Sequence, residues 1–211
     1  MRGLLLKDFC VLRKQMKLVA IFVVFYAVWS IAAKTPSMMG TMVILLSIMM
    51  PITSMSYDES GQWYRYAFSL PVSRRTLVLS KYVLGFLMAL GGLVVSAVGN
   101  LAILALTGWE NTLESWIAIA AFVEIGVIFL SVIIPLMFKF GVEKGRIVII
   151  IIAVIPSLLV VLLSNLLPSS GIPLPSEEFI RAALFSSPLF VLAVFLISFR
   201  ISVGICRKKE Y

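Results

Sequence analysis

Residues 82–106, YVLGFLMALGGLVVSAVGNLAILAL, decide the fold. The run carries no charged side chain, and as a helix rising about 1.5 Å per residue it extends roughly 37 Å, more than the ~30 Å hydrocarbon core of a bilayer. Gly92, Ser96 and Asn100 recur within it at four-residue spacing, with Gly85, Gly91 and Gly99 nearby, so one face permits close helix approach. Five more stretches outward from it have the same apolar character: 18–33, 38–55, 116–138, 147–167 and 182–205. The first is short, but Lys17 can snorkel and the helix is expected to continue from the preceding segment. The expected architecture is all-α and polytopic, with six transmembrane helices in one membrane domain over residues 1–211.

Composition points the same way. Of 211 residues, 61% are hydrophobic and only 13% are charged, against about 25% in a soluble domain. Such a chain cannot cover a water-exposed surface. The chain holds no histidine, which excludes Ser-His-Asp and Cys-His nucleophiles and His-based zinc sites. Cys10 and Cys206 are expected on the reducing side, with neither a disulfide nor a metal site between them. The sequence therefore offers no catalytic residue and no metal site.

The net charge of +8 reflects topology rather than nucleic-acid binding. Sixteen basic residues fall in alternate polar segments: 1–17, the segment with Arg65, Arg74, Arg75 and Lys81, the loop with Lys139, Lys144 and Arg146, and the tail. The other segments hold two, Lys34 and Arg181. By the positive-inside rule both termini are cytoplasmic. No cleavable signal peptide is expected, because five bases interrupt the first 17 residues and no small-residue cleavage site follows. The stretch 168–175, rich in Pro and Ser, reads as an external loop.

Two cytoplasmic elements stand out. Residues 1–17 place Leu5, Phe9, Leu12 and Met16 on one helical stripe, with Lys7, Asp8, Lys14 and Gln15 elsewhere, the pattern of an interfacial helix. Residues 56–81 are far longer than a tight helix connection requires. Ser56-Tyr57-Asp58-Glu59 fits a capping box, predicting a helix over 57–70 that Pro71 ends. Asp58, Gln62, Arg65 and Ser69 then line one face, and Trp63, Tyr66, Ala67 and Leu70 the other. Two readings follow: a helix afloat at the interface, or a docking helix held by its aromatic face with a mixed-charge face towards a cytoplasmic partner.

The string SYDESGQWYRYAFSLPVSRRTLVLSKY, residues 56–82, resembles the segment between the second and third spans of small bacterial ABC-2 family permeases. The opening MRGLLLKDF resembles their N-terminal helix. The chain is similar in particular to permeases of Gram-positive exporters for phenol-soluble modulins and to antimicrobial-peptide resistance exporters. The resemblance implies a coupling helix within 57–70, with Asp58, Glu59, Gln62, Trp63, Arg65 and Tyr66 meeting a separate ATPase subunit that binds ATP and Mg. It also implies a second permease, identical or a paralogue, in the bacterial plasma membrane. An absence agrees: no Gly-x-x-x-x-Gly-Lys-Ser/Thr phosphate-binding loop occurs in the chain. Larger relatives place re-entrant helices between the last two spans, for which the loop here has little room.

Within the membrane, Asn100 and Glu124 lie at similar depth on neighbouring spans, near enough to share a hydrogen bond. They read either as helix glue or as a site meeting cationic or amide groups of a transported peptide. Pro51, Pro135 and Pro156 can kink their spans, and a methionine-rich second span offers an adaptable apolar surface. The expected function is the permease subunit of an exporter of amphipathic peptides, in contact with membrane lipid and with no nucleic-acid partner. The alternative is a non-transporting anchor or sensor subunit that recruits a cytoplasmic partner.

Overall fold

A computed structural model describes residues 1–69, 72–107, 112–145, 147, 148, 150, 151, 154 and 177–208. Among the described residues, six helices follow in order: α1 Arg2–Ala32, α2 Pro36–Ser60, α3 Trp63–Ser69, α4 Arg74–Thr107, α5 Thr112–Phe140 and α6 Glu177–Lys208. Among the described residues there is no strand, and five of these helices, all but α3, are long and apolar enough to cross a membrane. The fifth predicted span, 147–167, lies outside the described residues except for 147, 148, 150, 151 and 154, which are helical. The loop 168–175 and Pro156 also lie outside them.

The 1–17 helix and the first span are one continuous rod, α1, because nothing between them breaks the backbone ladder. α2 is the hub, packed against α1, α4 and α5. Its approach to α4 follows from the small-residue face: a Cβ on Gly92 would lie 2.7 Å from Ser47 Cβ, so only glycine lets the two backbones come this close. Four residues on, Ser96 Oγ donates to the Gly40 carbonyl at 2.8 Å and ties α4 to the start of α2.

Contacts at the helix ends fix the directions. The starts of α1 and α4 meet the end of α2 through Asp8, Lys81 and Asp58. The end of α5 meets the end of α2 through Gly141 and Glu59. Arg74, opening α4, donates to the carbonyls of Cys206 and Arg207 at the end of α6, at 3.0 and 2.8 Å. These ends share one side of the bundle, and the described residues of all four basic segments gather there. We call it the basic end.

The main core extends to this end. Met55, Val78, Tyr82, Ile134, Phe138 and Cys206 pack with Tyr64 and Ala67 of α3 and with Val142. Tyr82 reinforces it: its hydroxyl lies 2.6 Å from Ser198 Oγ and 2.8 Å from Ser202 Oγ, and Ser198 donates on to the Ser131 carbonyl. One hydroxyl thereby joins α4, α5 and α6. By contrast α1 turns Ile21, Val24 and Val28 outward, which costs nothing where the solvent is hydrocarbon.

Candidate functional site

At the basic end, residues 61–69 depart from the membrane-spanning rods. The structure corrects the predicted helix over 57–70. Residues 57–60 finish α2, Gly61 and Gln62 break the ladder with Gln62 at φ +49°, and only Trp63–Ser69 form a separate helix. Leu70 and Pro71 lie outside the described residues. Ser56 is inside α2 and starts nothing. The predicted capping box fails because Ser56 lies within α2 and the box's carboxylate, Glu59, is engaged elsewhere.

Asp58 is buried, 4% exposed, and its Oδ1 accepts from Lys7 of α1. Its Oδ2 is in ion-pair contact with Lys81 of α4, without the angle of a hydrogen bond. Lys81 Nζ also donates to both oxygens of Asp8, at 2.9 and 3.0 Å, and to Ser54 Oγ at 3.0 Å. Lys7 Nζ lies 3.0 Å from Asp8 Oδ1 as well. Two cations and two anions thus neutralise each other inside the protein, as buried charges must. The cluster clamps α1, α2 and α4 together. Lys7 Nζ also sits 4.5 Å from the centroid of the Trp63 ring, a cation–π contact that attaches α3 to the same clamp.

Glu59 works in the other direction. Its Oε2 accepts the N–H of Val142, the first residue of the helical turn after Gly141. A carboxylate at a helix start satisfies an otherwise orphaned donor. Gly141 has φ +83°, and a Cβ there would lie 2.5 Å from Glu59 Oε1. The junction requires glycine on both counts. Asp58 therefore faces inward, whereas Glu59 is exposed at the surface and uses one carboxylate oxygen to cap Val142.

α3 itself is seated by Tyr64 and Ala67, both buried, with the Tyr64 ring edge-on to Phe138 at 6.1 Å. Because the helix restarts after the break, its faces differ from those read off a helix starting at 57. Tyr66, expected inward, is 58% exposed, and Trp63 is half-buried. Gln62, Arg65 and Tyr66 point outward, with Arg65 Nη1 3.4 Å from Gln62 Oε1 and the Trp63 and Tyr66 rings 5.4 Å apart. Glu59, Gln62, Tyr64 and Arg65 border a shallow polar recess of about 180 Å³. Of the six residues read as a partner-facing set, Glu59, Gln62, Arg65 and Tyr66 are exposed, Trp63 is half-buried, and Asp58 is enclosed in the clamp.

Sequence reasoning missed Lys7, Asp8 and Lys81. A signal existed for Asp8, which falls three residues after Leu5 and four before Leu12, both on the predicted apolar stripe. Leu12 is fully buried and Asp8 is 1% exposed, whereas Phe9 and Met16 of that stripe are exposed. The buried face of α1 is rotated towards Asp8.

The intramembrane candidates do not meet. Ser187 Oγ donates to Glu124 Oε1 at 3.1 Å, linking α5 to α6. Asn100 is fully buried, and neither its Nδ2 nor its Oδ1 finds a hydrogen-bond partner. Among the described residues, no three Cys, Asp or Glu side chains gather as metal ligands would. Two apolar recesses open on the flanks of the bundle. One, of about 230 Å³, lies between α2 and α5 beside Ile48 and Phe129; the other, of about 450 Å³, lies between α1, α2 and α4 beside Val23, Met50 and Val95.

Five long apolar rods define a multi-pass membrane protein, with the short, core-seated α3 at its basic end. The family model described as ABC-2 family transporter protein matches residues 3–207, and the chain belongs to that family. No curated protein matches the chain. The family makes the chain a membrane component of an ABC transporter, and permeases of this family generally work with an ATPase subunit.

Proposed function

We propose that this chain is the permease subunit of an exporter in a bacterial plasma membrane, with both termini cytoplasmic, driven by a separate ATPase subunit that binds ATP and Mg and docks on α3. The observation that carries the reading is the outward face of Gln62, Arg65 and Tyr66 on a seven-residue helix whose other side is fixed in the core by Tyr64 and Ala67. A rigidly seated helix transmits force instead of absorbing it. Lys7 against Trp63, and Asp58 against Lys7 and Lys81, offer a direct route from α3 to α1 and α4. A second permease, identical or a paralogue, completes the assembly. The apolar flank recesses favour an amphipathic or antimicrobial peptide cargo, since such a cargo can partition from lipid into them.

The test is isolation of the full chain from native membranes in mild detergent, with every co-purifying protein identified by mass spectrometry. A near-stoichiometric ATPase is expected with the wild type and a strongly reduced one with Arg65→Glu, a substitution at an exposed position that leaves the core intact. An unchanged ATPase yield with Arg65→Glu removes α3 as the docking element. Isolation without any ATPase favours the anchor or sensor reading. In proteoliposomes of the complex, ATP hydrolysis stimulated by an amphipathic cationic peptide supports the cargo class, and indifference to such peptides refutes it.

A further inference from the structure

At the basic end, a recess of about 340 Å³ lies between the start of α4 and the end of α6, lined by Arg75, Phe199, Arg200, Val203, Gly204 and Arg207. The frame is fixed by Arg74, whose guanidinium donates to the Cys206 and Arg207 carbonyls and so holds Arg75 next to the last turn of α6. Arg200, Gly204 and Arg207 are exposed and follow one another at four- and three-residue spacing, along one face of α6. A Cβ on Gly204 would meet nothing within 4 Å, so the glycine leaves an open notch between the two arginines. Phe199 and Val203, half-buried, form an apolar floor.

Among the described residues no carboxylate pairs with the charges in this recess. Among the described residues every ion pair is made by Lys7 or Lys81, and none involves Arg75, Arg200 or Arg207. Arg200 lies about 12 Å from the end of α6 at 1.5 Å per residue, within a membrane-spanning helix. One turn deeper on its face, Leu196 and Ile197 are exposed, as hydrocarbon contact allows. A cation placed there calls for an anion that arrives from the lipid side. Guanidinium forks match phosphate oxygens two by two, and the arrangement of three around a notch above an apolar surface fits a group that is charged at one end and oily at the other.

We propose that this recess binds the phosphate headgroup of an anionic phospholipid, with Arg75, Arg200 and Arg207 on the phosphate and the acyl chains descending past Leu196 and Ile197. A protein partner with an acidic surface fits the exposed rim but not the depth of Arg200. The site stands independently of the docking role proposed for α3.

The full chain is reconstituted in nanodiscs of phosphatidylcholine containing a minor share of spin-labelled phosphatidylglycerol, and the motionally restricted fraction is compared with that of spin-labelled phosphatidylcholine. The wild type is expected to prefer phosphatidylglycerol, and Arg200→Gln and Arg207→Gln to lower the preference about fivefold each, the effect of one juxtamembrane basic residue. Arg200→Lys, which keeps the charge that orients the chain, is expected to lose part of it. Gly204→Leu fills the notch without changing charge and is expected to abolish it, while Arg13→Gln, exposed on α1, leaves it unchanged. Equal losses with Arg13→Gln, or no preference in the wild type, overturn the proposal. Displacement of the lipid by millimolar inorganic phosphate assigns the recess to a soluble anion and overturns the lipid assignment. Retained lipid preference in the arginine variants, together with loss of co-purifying protein, assigns it to a partner chain and also overturns it.

Discussion

Removing the Lys81 ammonium tests the clamp most directly. Lys81 is 2% exposed and is the cation shared by Asp8, Asp58 and Ser54. Lys81→Met keeps the length of the side chain but leaves two buried carboxylates facing Lys7 alone, a net charge of one in place of zero. At an effective dielectric near 20, one ion pair at about 3 Å is worth roughly 5 kcal/mol before desolvation is subtracted. Breaking one partner of a buried pair costs about 3–5 kcal/mol in net terms. On the scaling of roughly 2–4 °C per kcal/mol for soluble chains of this size, the melting temperature in detergent should fall by roughly 6–20 °C. Asp58→Asn leaves the opposite net charge and should destabilise as well. The double variant Lys81→Met/Asp58→Asn restores neutrality, with the Lys7–Asp8 pair retained at 3.0 Å, and should melt above either single variant. The assay is thermal unfolding followed by tryptophan fluorescence. Additive losses in the double variant, or a Lys81→Met melting point within about 2 °C of wild type, less than 1 kcal/mol on that scaling, would refute the reasoning.

Other positions give independent checks. Gly141→Ala forces an L residue to φ +83° and a Cβ against Glu59, so a loss of about 1–3 kcal/mol is expected, read as a lower melting temperature; no loss would mean the junction relaxes freely. Tyr82→Phe removes the hydroxyl that joins Ser198 and Ser202 and should cost about 1–3 kcal/mol by the same melt, with unchanged stability arguing that water replaces it. Asn100→Leu replaces a buried carboxamide without partners by an apolar side chain of similar size, so stability should hold or rise; a clear fall would show that Asn100 engages a group absent from the described contacts.

The spans were legible in the sequence because hydropathy accumulates residue by residue and needs no knowledge of neighbours. Four of the six predicted stretches, 38–55, 82–106, 116–138 and 182–205, fall inside α2, α4, α5 and α6, and 18–33 coincides with the far half of α1 to within one residue. The helix over 57–70 was misread for a physical reason. A capping box is a local arrangement worth about 1 kcal/mol, whereas leaving one member of a buried charge cluster without its partner costs about 3–5 kcal/mol. Once Asp58 was committed to Lys7 and Lys81, and Glu59 to the Val142 N–H, the residues of the predicted helix start became the end of α2.

By itself, then, the sequence determined an all-helical membrane protein, the placement of its apolar rods, the segregation of basic residues to alternate segments, and a family resemblance carried by residues 56–82. Tertiary structure alone decided which charges are paired. Asp8 and Lys81 are 73 positions apart and Lys7 and Asp58 are 51 apart, separations at which no local pattern reports a contact. It also decided which face of α3 is free, since the phase of a seven-residue helix is set by Gln62 at positive φ and by the fit of Tyr64 and Ala67 into the core. Hydropathy is a sum over single residues, whereas a buried ion pair exists only when several helices enclose it, and so only the packed bundle reveals it.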